Sequence, residues 1–154
     1  ERPVSEDKPR ILITGCPIGG VSEKIVKTIE DSGAVVVAFE TCGGIRYNDE
    51  LVDENNPDPI DAIAKKYINI ACSCMVNNDE RIDLLDRLID EYKIDGVIDV
   101  VLQACHTFNV ESYRVKKFVN EVKNKPYMAI ETDYSKSDTE QLRTRFEAFI
   151  EMID

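Results

Sequence analysis

Gly96-Val97-Ile98-Asp99-Val100-Val101-Leu102-Gln103-Ala104-Cys105-His106 is the stretch on which the reading of this chain turns. Val97 to Leu102 is rich in β-branched residues, the composition of a buried strand. The run ends in a cysteine beside the only histidine of the chain. A strand that delivers a thiol and an imidazole at its carboxyl end marks a candidate site, and the remaining sequence can be asked what it builds around that point.

Working outward, three further strands are predicted. Ile11-Leu12-Ile13-Thr14 ends in Gly15-Cys16-Pro17. Ala34 to Phe39 is apolar on both faces, as parallel strands covered on both sides are. The fourth is Tyr127-Met128-Ala129-Ile130. Helical spacing fills the gaps. Ser22 reads as the N-cap of a helix carrying Val21, Ile25 and Ile29 and stopped by Gly33. A short helix is expected around Ile60–Tyr67. Asp79 reads as the cap of a helix whose apolar face is Ile82, Leu85, Leu88, Ile89 and Tyr92. A helix over Asn109–Lys123 carries Val110, Tyr113, Val115, Phe118, Val119 and Val122. Ser137-x-x-Glu140 is a capping-box pattern, opening a last helix with Leu142, Phe146, Phe149 and Ile150 as its buried stripe. Glu40 to Arg46 and the acidic segment Asp49–Asp61 read as loop.

Strands alternating with helices imply an α/β, three-layer fold: a parallel sheet with helices on both faces and right-handed crossovers. A four-stranded sheet in the order 2-1-3-4 is the smallest flavodoxin-like arrangement, with its ligand crevice between strands one and three. Residues 1–9 read as a flexible leader and residues 10–154 as a single α/β domain. In this arrangement Cys16, Cys42 and Cys105 each follow a strand and share one rim of the sheet, with Cys16 and Cys105 flanking the crevice.

Bulk properties narrow the function. A chain of 154 residues is large enough for one core. A formal charge of −11 disfavours nucleic-acid and anionic-lipid surfaces, which call for basic patches. No apolar run approaches the ~18 residues of a membrane span, and the charged start has no signal-peptide core, so no nucleic acid and no membrane are expected as partners and the location is expected to be cytoplasmic. The start also lacks an initiating Met, so the chain is expected to be cut from something longer. Five cysteines in a reducing compartment read as free core thiols or as metal ligands rather than disulfides.

The local motifs are less decisive one by one. Gly15-Cys16-Pro17-Ile18-Gly19-Gly20 sits where a phosphate loop would sit, yet matches neither the dinucleotide nor the Walker pattern. Its glycines serve a tight turn equally well. Cys72-Ser73-Cys74 lacks the second cysteine pair of a zinc finger and reads as a loop of small residues. Adjacent Cys105 and His106 on an extended segment would point to opposite sides, which suits a metal ligand with a polar neighbour better than a nucleophile–base pair. A satisfied structural histidine is the plainer alternative. Glu131-Thr132-Asp133-Tyr134, just past the fourth strand, could orient a ligand or cap the following turn.

Taken together these residues resemble a known family. Arg10-Ile-Leu-Ile-Thr-Gly15 with Pro17 and Gly19, Glu40-x-Cys42-x-Gly44-x-Arg46, Cys72-Ser-Cys74-Met75, Asp95-Gly-Val-Ile98 running to Gln103-Ala-Cys105-His106, Glu111, Ile130-Glu-Thr-Asp-Tyr134 and Gln141-Leu-Arg-Thr-Arg145-Phe-Glu-Ala-Phe149 are similar, in that order, to the carboxyl-terminal domain of 2-hydroxyacyl-CoA dehydratase subunits. That family, the 2-hydroxyglutaryl-CoA dehydratase D-component family, includes benzoyl-CoA reductase subunits. The resemblance implies that the chain is the C-terminal part of a longer subunit holding a 4Fe-4S cluster through three cysteines. It assigns Cys105 as one cluster ligand and places the other two outside this chain, so that the fragment alone is expected to be metal-free and inactive. Cys16, Cys42, Arg46, His106 and Glu131 are the candidate cluster or substrate surroundings. The implied reaction is radical elimination of water from an (R)-2-hydroxyacyl-CoA, a lyase activity of anaerobic fermentation, after one-electron activation. The implied partners are a second homologous dehydratase subunit in a heterodimer, an ATP-dependent iron–sulfur activator and the acyl-CoA substrate, with FMN admitted as a further cofactor of the complex. The alternatives are a benzoyl-CoA reductase-type subunit and, from another class, a flavodoxin-like binding or electron-carrier module.

Overall fold

A computed structural model describes residues 5, 7–16, 19, 21–75 and 77–153. The elements run β1 (Arg10–Gly15), α1 (Val21–Asp31), β2 (Val35–Glu40), α2 (Ile45–Asn48), α3 (Pro59–Ile68), α4 (Asp79–Glu91), β3 (Gly96–Leu102), α5 (His106–Lys117), a π-helical turn (Phe118–Val122), β4 (Tyr127–Thr132) and α6 (Thr139–Glu151). The four strands are all parallel, in the order β2-β1-β3-β4. This is the expected flavodoxin-like sheet, with the central pair β1 and β3 joined from Ile11↔Gly96 to Gly15↔Val100.

Strand periodicity sorts the core into two layers. Ile11, Ile13, Ile98, Val100 and Ile130 face one way, against Ile25 and Ile29 of α1 and Leu142, Phe146, Phe149 and Ile150 of α6. Leu12, Ala38 and Val97 face the other way, against Leu84, Leu85, Leu88 and Ile89 of α4 and Val115 and Val119 of α5. The stripes read for α4 and α6, and Ile25 and Ile29 of the α1 stripe, are therefore the faces that pack; the Val21 side chain lies outside the described residues. Each fully buried Leu, Ile or Phe side chain contributes about 1.5–3 kcal/mol. Among the described residues no helix is long and apolar enough to cross a membrane.

The differences from the sequence reading have local causes. Pro17, Ile18 and Gly20 of the glycine-rich turn lie outside the described residues. The helix after that turn already includes Val21, so Ser22 lies inside it rather than capping it. Asn78, not Asp79, is the cap position of α4. The capping box at Ser137 does not form: α6 starts after Asp138, which makes no side-chain cap bond because its carboxylate is engaged by Lys24 and Thr132. Strand β4 runs two residues further than expected and takes in Glu131 and Thr132. The segment after Cys42, read as loop, contains the single turn α2.

The largest revision concerns α5. It begins at His106 rather than Asn109 and gives way to the π-helical turn at Phe118, where Lys123 N–H reaches back to Phe118 O at 3.2 Å. Of its apolar residues, Phe108, Val115 and Val119 go inside, while Val110, Tyr113 and Val122 are exposed.

Candidate functional site

Strand β3 ends in a tight turn. Cys105 N–H donates to Leu102 O at 2.9 Å, and Ala104 takes φ +67°, a left-handed conformation uncommon outside glycine. Cys105 is the N-cap residue of α5, and its thiol makes no cap bond. It is half-buried, with Sγ 3.8 Å from Thr107 Oγ1. His106 is thus the first residue of a helix rather than part of an extended segment, and it is exposed.

The rim expected from topology is present. Cys16 follows β1, and its backbone N–H pairs with Val100 O at 3.1 Å across the crevice. Gly15 makes this approach feasible. Its φ is +117°, and a Cβ there would lie 2.1 Å from Val100 O. Cys16 Sγ accepts the Leu102 N–H at 2.9 Å and donates to Val100 O at 3.5 Å. Cys16 forms a small apolar cluster with Val101 and Phe108, against which Cys42, Leu102 and Cys105 pack. Burial, with the neighbouring Cys105 thiol adding to it, pushes the Cys16 thiol up to about 11. Among the described residues no three His, Cys, Asp or Glu side chains are placed to hold a metal ion by themselves.

The Cys72-Ser73-Cys74 loop joins this rim, which its sequence did not indicate. Met75 N–H closes a turn onto Cys72 O at 2.9 Å. Ser73 Oγ donates to Thr107 Oγ1 at 3.2 Å, docking the loop on the first turn of α5.

Beneath the rim lies a buried ionic network. The Glu40 carboxylate, at the end of β2, pairs with Arg46 of α2 and Arg81 of α4, and all three side chains are fully buried. Thr14 Oγ1 donates to Glu40 and accepts Arg81 Nη2 at 2.9 Å. Arg46 Nη2 also donates to Gly15 O at 3.2 Å and Glu40 O at 3.1 Å, and its Nη1 donates to Cys42 Sγ at 3.4 Å. Arg81 reaches Glu111 of α5 at 3.5 Å, and Glu111 in turn accepts Asn78 Nδ2 at 3.0 Å. Both guanidinium carbons sit 5.2 Å from the centre of the Phe108 ring, a desolvated cation–π geometry. The three-residue step from Cys105 to Phe108 therefore anchors the start of α5 to the network.

Arg46, Cys16 and Cys42 were singled out from the sequence and are brought together here. Glu131 stands apart, exposed on the edge strand β4 opposite Val101. Arg81, Phe108 and Asp99 were missed. Arg81 had a readable signal: it falls at helical spacing with Leu84, Leu85 and Leu88, a cation on an apolar stripe.

Asp99 is fully buried in β3. Burial raises its carboxyl above the ordinary value, against the opposing influence of Arg81 and of hydrogen bonds from Tyr127 and Ser112. The Tyr127 hydroxyl donates to Asp99 Oδ2 at 2.8 Å and lies 3.1 Å from Ser112 O. A carboxyl whose folded pKa is raised weakens folding as pH climbs from the unfolded value, about 3.9, towards the folded one. In Asp99→Asn the amide carries no charge and so no such cost. Urea titrations should show the variant close to wild type near pH 3 and increasingly the more stable above about pH 4. A difference that stays constant with pH would contradict a raised Asp99 carboxyl.

At the opposite edge of the crevice Lys24 ties α1 to the segment after β4. Its Nζ donates to Thr132 Oγ1 at 2.7 Å, Ser135 O at 2.8 Å and Asp133 O at 3.1 Å, and pairs with Asp138 at 2.7 Å. The knot fixes the loop that was read from sequence only as a turn cap or ligand guide.

Comparison with known proteins bears on what this rim serves. The family model described as 2-hydroxyglutaryl-CoA dehydratase, D-component, matches residues 1–153. The chain belongs to this family. It is 53% identical over 148 residues to the putative dehydratase subunit YjiM of Escherichia coli (strain K12), covering 96% of this chain and 38% of that protein. It is 29% identical over 153 residues to the (R)-phenyllactyl-CoA dehydratase beta subunit of Clostridium sporogenes, covering 96% and 40%. It is 27% identical over 164 residues to a benzoyl-CoA reductase subunit of Thauera aromatica, covering 100% and 36%. The chain thus spans about two-fifths of the length of these relatives.

Proposed function

We propose that this chain is the C-terminal domain of a longer (R)-2-hydroxyacyl-CoA dehydratase subunit, in which Cys105 supplies one thiolate to a 4Fe-4S cluster and the remaining ligands come from outside the chain. The observation that carries the reading is the family match over residues 1–153 combined with the position of Cys105, a half-buried thiol unused by its own helix at the end of a central strand. A single thiolate of this kind fits the donor chemistry of such a cluster.

When bound, the cluster supplies a low-potential electron for removal of the 2-hydroxyl group. The chain's own residues do the rest of the local work. Cys16, Val101 and Phe108 form a dry floor beside Cys105. Thr107 Oγ1 lies within reach of Cys105 Sγ, and exposed His106 stands next in the chain to hydrogen-bond a sulfur or the bound acyl-CoA. The Glu40–Arg46–Arg81 network holds the floor through Phe108. A homologous second subunit and an ATP-dependent activator complete the machine in this reading.

The dehydratase reading is preferred to ring reduction because the relative at 53% identity is named a dehydratase subunit. Incubating the complete two-subunit enzyme anaerobically with activator, ATP and either an (R)-2-hydroxyacyl-CoA or benzoyl-CoA tests this. Enoyl-CoA formation from the first is the expected result. Turnover of benzoyl-CoA alone would replace the dehydratase by a ring reductase.

A further inference from the structure

The function proposed above leaves Cys72 and Cys74 without a role, and their surroundings differ from those of an inert loop. Two residues of extended chain span about 6.6–7.2 Å, at or beyond the upper end of the ~4.4–6.8 Å Cα separation that a disulfide tolerates. Here the turn closed by Met75 N–H on Cys72 O draws the ends of Cys72-Ser73-Cys74 together. The two thiols are near enough for each to act on the ionisation of the other. Accessibility is graded: Cys72 is half-buried and Cys74 exposed.

The electrostatic setting separates their chemistry. Burial works against a Cys72 thiolate, but the Cys74 backbone N–H and thiol and the positive charge of Arg46 outweigh it, so the Cys72 thiol is lowered. The Cys72 and Cys42 sulfurs hold the Cys74 thiol up. Arg46 is fixed by Glu40 and already contacts Cys42, so its charge on this side of the rim is permanent. A nucleophilic thiol beside an exposed partner thiol is the arrangement of a thiol–disulfide exchange site.

From this geometry we infer that Cys72 and Cys74 form a dithiol redox site on the rim, distinct from Cys105, that reacts with low-molecular-weight disulfides such as glutathione disulfide. The Cys72 thiolate attacks one sulfur of the reagent, forming a mixed disulfide and releasing one thiolate. The Cys74 thiol, losing its proton to that leaving thiolate, attacks the Cys72 sulfur and releases the second. Two cysteine thiols are oxidised by two electrons, and one disulfide is reduced to two thiols. Ring closure bears on Ser73, whose hydroxyl docks the loop on Thr107, two residues from Cys105.

The test needs no iron and uses this chain as it stands. The reduced protein is treated anaerobically with glutathione disulfide, and the products are read by thiol titration and peptide mass mapping. Two of the five thiols should disappear, with the crosslink mapping to Cys72–Cys74. Cys74→Ser should stop at a stable glutathione adduct on Cys72, and Cys72→Ser should lose the fast reaction, both with unchanged circular dichroism. A crosslink between Cys16 and Cys105, or a fast phase that survives Cys72→Ser, would overturn the assignment.

Discussion

Glu40→Ala is expected to remove about 3–5 kcal/mol of folding stability, because deleting one partner of a buried ion pair leaves the other charge uncompensated. Here two guanidinium groups lose their shared partner, and Arg81 keeps only the longer pair with Glu111. Arg46 and Arg81 are both buried against Glu40, and neither can swing into water without pulling on Gly15 O, Thr14 or Phe108. The loss is a large share of the ~5–15 kcal/mol that holds a domain together. The position also couples to the rim, since the Phe108 ring rests on both guanidinium groups only while Glu40 holds them in place. Asp49→Ala is the contrasting variant. It breaks the part-exposed pair with Arg87 and should cost no more than about 1 kcal/mol. Urea unfolding followed by circular dichroism measures both. A Glu40→Ala loss as small as that of Asp49→Ala would mean that the two arginines are not held as described.

The fold was legible because three signals agreed. The β-branched runs at Ile11–Ile13, Val35–Val37 and Val97–Leu102 mark strands, the stripes of α1, α4 and α6 mark faces, and the strict alternation admits few sheet orders. The shared rim of Cys16, Cys42 and Cys105 followed from that order alone. The helix starts were less legible, since caps are set by tertiary demand. Asp138 serves Lys24 instead of its own helix, and the left-handed Ala104 leads into an α5 that starts at His106, ahead of the expected Asn109. The ionic network was hidden for a related reason: Arg81 and Glu111 are far in sequence from Glu40 and Arg46, and charged residues read singly look solvated. Only the apolar spacing around Arg81 and the acid within the β3 run hinted at burial. The Cys72 loop gave no signal at all for its place beside α5, because its docking rests on one hydroxyl pair, Ser73 with Thr107.

The second large effect is one of function without loss of fold. Cys105 is half-buried, caps no helix through its side chain and makes one long polar contact, to Thr107. Cys105→Ser keeps nearly the same volume, so its stability should stay within about 0.5 kcal/mol of wild type. Its effect on the proposed cluster should be near total, because a serine oxygen is a poor substitute for a soft thiolate ligand of iron. Cys16→Ser offers the internal comparison: it alters the neighbouring buried sulfur, leaves the proposed ligand in place and should retain iron. The direct measurement is iron and acid-labile sulfide content, with the cluster's electron paramagnetic resonance signal after one-electron reduction, in the anaerobically reconstituted full-length subunit and its Cys105→Ser variant. The account predicts a full cluster complement in the parent and its loss in the variant with circular dichroism unchanged; full incorporation in a folded Cys105→Ser variant would contradict it.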